Sequence, residues 1–184
     1  MAAKKIVLLI AIIACITSRA SAQVYYTKNG SISFFSKTSL EDISADNNQV
    51  ISVLNIKTGI LEFSALNYAF QFPKAKMQED FDENYMENNK YPKSTFKGTI
   101  TDVSSISSLN DGSYNVSVKG DLAIHGVTKN IITPATITIK DGKISATTSF
   151  KILIKDYNIK VPTIVTNKIA ESIEITVNCS YEKK

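Results

Sequence analysis

Between Val24 and Tyr181 apolar and polar residues alternate with few interruptions. The clearest runs are Tyr114, Val116, Val118, Leu122 and Ile124, then Ile144, Ala146, Phe150, Ile152 and Ile154, then Ile173, Ile175, Val177, Cys179 and Tyr181. Mostly Ser, Thr, Asn, Lys or Glu stand between them. Side chains on a strand point alternately to opposite faces, so each run predicts a strand with one buried and one wet face. Many such strands in one chain must curl around a shared interior, as a sandwich or a closed barrel. What the protein can do then depends on whether that interior is filled or hollow.

Turn signals divide the pattern. Val24–Asn29 and Ser31–Lys37 read as an opening strand pair around Asn29-Gly30, a dipeptide suited to tight hairpins. Leu40–Thr58 reads as a long extended stretch with a bend or bulge at Asp46-Asn47-Asn48. After Lys57-Thr58-Gly59, the strand Ile60–Phe72 carries Leu61 and Phe63 on one parity but Leu66, Tyr68, Phe70 and Phe72 on the other. A one-residue slip is what a β-bulge produces, and bulges let strands bend around a barrel. Ser94–Ile106, Ser113–Ile124, Ile131–Lys140, Lys143–Lys155 and Ile169–Tyr181 complete the strands, with hairpins at Asn110-Asp111-Gly112 and Asp141-Gly142. The expectation is all-β: about eight antiparallel strands forming one domain.

One segment departs from the alternation. In Lys74–Met86 the apolar Met77, Phe81 and Tyr85 are spaced by four, with Glu79, Asp80, Asp82 and Glu83 between them. That spacing predicts a short amphipathic helix whose apolar stripe caps the sheet and whose acidic face is solvated.

The N-terminus has its own logic. Lys4 and Lys5, the apolar run Ile6–Ile16 and Ala20-Ser21-Ala22 give the three-part layout of a secretory signal peptide. The run is shorter than the roughly 20 residues a membrane-spanning helix needs. Residues 1–22 are therefore expected to be a signal peptide and residues 23–184 the folded domain, bound for the periplasm or the exterior. Ile12-Ile13-Ala14-Cys15 also resembles a lipobox, although Arg19 and the later Ala-Ser-Ala site favour cleavage before Gln23. Cleavage would remove the sole arginine and two of the lysines, bringing the formal charge of +4 close to balance. With scattered lysines and no arginine, nucleic acid is not an expected partner. It would also leave Cys179 without a second cysteine, a small buried hydrophobe on the last strand.

Reactive chemistry is sparse. His125 is the single histidine, and strand parity places it on the outer face at a strand end beside Gly126. One histidine without clustered ligands makes no metal site. No nucleophile elbow, phosphate-cradling loop or dinucleotide fingerprint occurs. The chain reads as neither an enzyme nor a holder of a cofactor or metal.

Three stretches carry a family resemblance. They are Met77–Gly98, with its helix followed by Tyr91-Pro-Lys-Ser-Thr-Phe96; Gly120-Asp-Leu-Ala-Ile-His-Gly-Val-Thr-Lys129; and Phe150 followed by Asp156-Tyr157 and Ile159. In this order they resemble the YceI-like family of secreted bacterial proteins. The start departs from that pattern: Tyr26–Phe35 lacks the Asp and the His-Ser pair that many members carry there. The resemblance implies an extended antiparallel eight-stranded β-barrel, lipocalin-like, whose interior holds a long-chain isoprenoid or fatty lipid. Periodicity alone does not separate a packed barrel from one holding a ligand. If hollow, its expected lining is Phe63, Tyr68, Phe70, Phe96, Tyr114, Phe150 and Ile152, with Met77 and Phe81 from the helix. The alternative is a filled barrel acting through its surface, as an interaction or envelope-stress factor. The broad outer sheet faces are also compatible with a homodimer.

Overall fold

The structure, a computed structural model, describes residues 23–184. The expected signal peptide, and with it Cys15, lies outside the described residues. Eight antiparallel strands close a barrel in which sequence neighbours pair and the last strand returns to the first. They are β1 (Val24–Lys37), β2 (Asp42–Asn55), β3 (Ile60–Leu66), β4 (Lys93–Ile100), β5 (Gly112–Ile124), β6 (Val127–Lys140), β7 (Lys143–Leu153) and β8 (Ser172–Lys183). The helix expected from the spacing of Met77, Phe81 and Tyr85 is α1 (Ala75–Asp80), which widens into a π turn over Phe81–Tyr85.

Several local expectations are corrected. Asn29-Gly30 is not a hairpin: β1 runs straight through it, and the pairing register shifts there against both β2 and β8. A Cβ at Gly30 would lie 2.7 Å from Cys179 Sγ and 3.2 Å from the Val50 carbonyl oxygen, so close packing requires glycine here. The parity change after Phe63 is not a bulge either. β3 ends at Leu66, and a 3₁₀ turn at Asn67–Ala69 reverses the phase. Asn67 is fully buried in that turn, donating to the Tyr91 carbonyl at 2.7 Å and accepting from Ser94 Oγ at 2.9 Å. β4 stops at Ile100, short of the expected Ile106, because a turn and a short helix, α2 (Ser104–Ser107), fold Ile106 into the core with no exposure. β7 ends at Leu153 and β8 begins at Ser172, with irregular chain crossing the barrel end between them.

The question of a filled or hollow interior has a divided answer. At one end Leu54, Ile56, Ile106, Ile139 and Ile144 are between 0 and 2% exposed. Each such residue contributes about 1.5–3 kcal/mol through burial. Tyr181 joins them, its hydroxyl 2.8 Å from Ser52 Oγ. Cys179 is buried beside it, and burial pushes its thiol up to about 11. Toward the other end two ladders give out. β2 pairs with β3 only over Ile51–Leu54 and Leu61–Ser64, and β6 pairs with β7 only over Thr136–Lys140 and Lys143–Thr147. Strands that part in this way enlarge the interior. The first gap is bridged by reciprocal bonds of 3.2 and 2.8 Å between Asp46 and Gln71, and by Asn47 Nδ2 donating to the Leu66 carbonyl at 2.9 Å.

Candidate ligand cavity

The hollow end holds a cavity of about 500 Å³, open to solvent at its rim. Its deepest wall is built by alternation: Leu61, Val118, Ala146 and Val177 are inward positions of four strands. Phe96 lies over the facing pair Gly98 and Gly120. A Cβ at either glycine would fall 2.6 or 2.7 Å from the Phe96 ring and closer still to backbone, so both are glycine to let the ring lie flat. Higher up, Ile32 and Phe34 of β1, Phe63 of β3, Leu122 of β5, and Phe150 and Ile152 of β7 continue the apolar wall.

A lid covers part of this space. Phe81 sits at the start of the π turn, with ring centroids 5.7 Å from Phe34, 5.5 Å from Phe70 and 5.0 Å from Phe72. Such offset and edge contacts are favourable by about 0.5–1.5 kcal/mol each beyond area burial. Met77 and Tyr85 line the cavity from the same helical stripe. Opposite, Ile159, Val161, Val165 and Ile169 face in from the irregular segment after β7. The Ala170 N–H donates to Ser36 Oγ at 2.9 Å and ties that segment to β1.

Charge is confined to the rim. Among the described residues the only charged ones that line the cavity are Glu41, Lys74, Lys76, Asp80 and Lys168. Lys74 pairs with Glu41 at 2.9 Å, and Lys76 with Glu79 and Asp80 at 3.1 Å. The hydrogen bond and charge of Lys74, with the charge of Lys168 adding to them, hold the Glu41 carboxyl below its ordinary range. An unpaired charge deeper inside would be costly.

His125 fastens the lid's exit. It occupies a two-residue turn with Gly126, both at positive φ (50° and 75°). That geometry takes its ring off the strand alternation, so it does not lie on the outer face as expected: its side chain is 9% exposed. Nε2 lies 2.8 Å from Glu87 Oε2, Nδ1 lies 3.1 Å from the Tyr157 carbonyl oxygen, and the ring meets Tyr91 edge-on at 4.6 Å. Both oxygens are acceptors, so the ring serves both only when both nitrogens carry hydrogen. Among the described residues no group of three His, Cys, Asp or Glu side chains is placed to hold a metal ion.

Of the residues expected to line the interior, Phe63, Phe70, Met77, Phe81, Phe96, Phe150 and Ile152 do border the cavity. Tyr68 does not: the 3₁₀ turn throws it outward, 57% exposed. Nor does Tyr114, which closes the filled end and donates its hydroxyl to the Asn110 carbonyl at 2.8 Å. Sequence reasoning missed Phe34 and Phe72. The parity of Ile32 and Phe34 within one unbroken strand would have found the first. The inward residues of 159–169 follow no period and left no comparable signal.

Comparison with known proteins gives one family and one fold. The model of the YceI-like domain matches residues 17–181. A polyisoprenoid binding domain from Saccharophagus degradans, implicated in plant cell wall breakdown, superposes with a TM-score of 0.78 at 14% identity, over 89% of this chain and 99% of that one. BcnA of Burkholderia cenocepacia gives 0.65 at 14% identity, over 84% and 96%. A YCEI protein of Campylobacter jejuni gives 0.56 at 20% identity, over 86% of each chain. No curated protein matches in sequence.

Proposed function

The chain belongs to the YceI-like domain family, and from that premise we propose that its hollow half binds one long isoprenoid-like or fatty lipid, tail inward. The protein is then a carrier or sheltering protein of the periplasm or the exterior, and not an enzyme. The observation that carries this reading is the apolar cavity itself, partly covered by an aromatic lid and, among the described residues, lined by charge only at its rim. Each methylene buried there contributes about 0.8 kcal/mol, so a long tail binds through area and shape without reactive groups. The similarity in fold to a domain that binds polyisoprenoid supports the choice of ligand class.

Native mass spectrometry of the secreted protein tests it. A bound mass that extracts into organic solvent and returns when delipidated protein is offered quinones, polyprenols or fatty acids is the expected result. A protein that retains none of these refutes the reading.

A further inference from the structure

The β6–β7 ladder stops at Pro134, and the position explains the stop. Bonded and non-bonded pairs alternate along an antiparallel ladder. Counting from the tight turn at Asp141-Gly142, the bonded pairs are Lys140–Lys143, Thr138–Ser145 and Thr136–Thr147. The next would join residue 134 to Ser149 and needs an N–H that proline lacks. The same count from the turn at His125-Gly126 makes Ser117–Pro134 a non-bonded pair, so the β5–β6 ladder passes Pro134 intact. One residue therefore stops one ladder and spares the other. Beyond it, Val127–Ala135 of β6 and Thr148–Leu153 of β7 run on without pairing to each other.

At this fork the Pro134 carbonyl is taken by a side chain: Thr148 Oγ1 donates to it at 2.6 Å, and Thr133 Oγ1 lies 3.1 Å from Thr148 Oγ1. Outside lies a notch of about 340 Å³, bordered by Asn115, Thr136, Thr147, Ser149 and Thr176 around Pro134. It shares Ala135, Thr147 and Thr148 with the inner cavity, so these three residues form the wall between the two spaces at the seam. The notch is rich in hydroxyls, and among the described residues no charged one lines it. Asn115 Oδ1 accepts from Thr136 Oγ1 at 3.1 Å, which leaves the Asn115 amide N–H groups to donate outward.

We propose that this notch is a second subsite, which takes the uncharged, hydrogen-bonding end of an amphiphile whose tail lies in the cavity, reached through the β6–β7 seam. The proposal rests on the lipid-binding reading above. A hydroxyl or carbonyl head fits because the notch offers amide and hydroxyl partners. An anionic head does not: no ammonium of the described residues borders the notch, and the Glu174 carboxylate, 2.8 Å from Ser149 Oγ, opposes it.

Phytol and phytane, which share a tail and differ by one hydroxyl, separate the two claims when titrated into delipidated protein. The wild type should bind phytol about tenfold more tightly than phytane, the scale of one or two hydrogen bonds. Asn115→Leu combined with Thr147→Val should bring phytol to within about twofold of phytane and leave phytane unchanged. Pro134→Val restores the missing donor, lets the ladder close over the notch, and should reduce the preference in the same direction without touching the hydroxyls. Equal binding of both probes by the wild type, or a preference that survives in both variants, overturns the subsite while the cavity reading stands. Binding of neither probe overturns both.

Discussion

Ala146→Phe sets protein stability and ligand retention against each other. Ala146 pairs with Ile137 and Cys179 across β7 and borders the deep end of the cavity. In a packed core an added phenyl ring costs about 1–3 kcal/mol in strain. Here it projects into a space of about 500 Å³. The ring then buries apolar area instead of displacing neighbours, and contributes up to about 1.5–3 kcal/mol to the empty protein. A bound chain loses the same room: about six carbons displaced, at about 0.8 kcal/mol each, is roughly 5 kcal/mol of tail burial. If the chain shifts and recovers all but about 2 kcal/mol, affinity still falls about thirtyfold. Denaturant midpoints of delipidated wild type and variant give the first sign, and phytane titration gives the second. A delipidated variant that is less stable than wild type and binds phytane equally well would refute the reasoning, because Ala146 would then border packed core and not the site.

Three further outcomes follow from the geometry. Phe81→Asp sets a carboxylate among Phe34, Phe70 and Phe72, so the lid should lift and lipid recovered by extraction should fall at least about tenfold. His125→Ala removes the ring that lies within hydrogen-bonding distance of Glu87 and of the Tyr157 carbonyl, and should cost about 1–2 kcal/mol in denaturant unfolding with partial rescue by Gln. Burial raises Cys179 from the usual 9 to about 11, so the unfolded chain loses this proton first. The stabilisation is fully present below pH 9 and falls by about 3 kcal/mol as pH rises through 11. Unfolding titrations from pH 8 to about 11 should show that slope, flattened in Cys179→Ala; an unchanged slope in the variant would assign it to other groups, Tyr181 first.

The barrel was legible because alternation survives in every strand that packs one face inward, and the lid was legible because Met77, Phe81 and Tyr85 keep a helical spacing. What misled were places where one short feature has two structural meanings. Asn29-Gly30 suits a hairpin, but it also suits a strand crossed by a cysteine on its neighbour, and only the pairing of β1 on both sides distinguishes them. The parity slip at Leu66 looks the same from a bulge as from a 3₁₀ turn, yet the two send Tyr68 to opposite sides. Tyr114 has the correct parity and the wrong height along the barrel, a coordinate that alternation does not encode. The division into filled and hollow halves depends on where ladders end; Pro134 sets one of those ends, but only the register of β6 against β7 shows that it falls on a bonded pair.

The parted strands have a bearing on solubility. Unpaired backbone along β6 and β7 is a template on which another chain could add a strand, the usual beginning of edge-to-edge aggregation. These edges carry their own deterrents: Lys129, Asn130 and Pro134 on one, Lys151 on the other. A growing stack of strands would have to bury those ammonium groups and would find no donor at residue 134. The proline that stops the ladder within the molecule thus also limits its continuation between molecules, which lets the barrel keep an open side without polymerising through it.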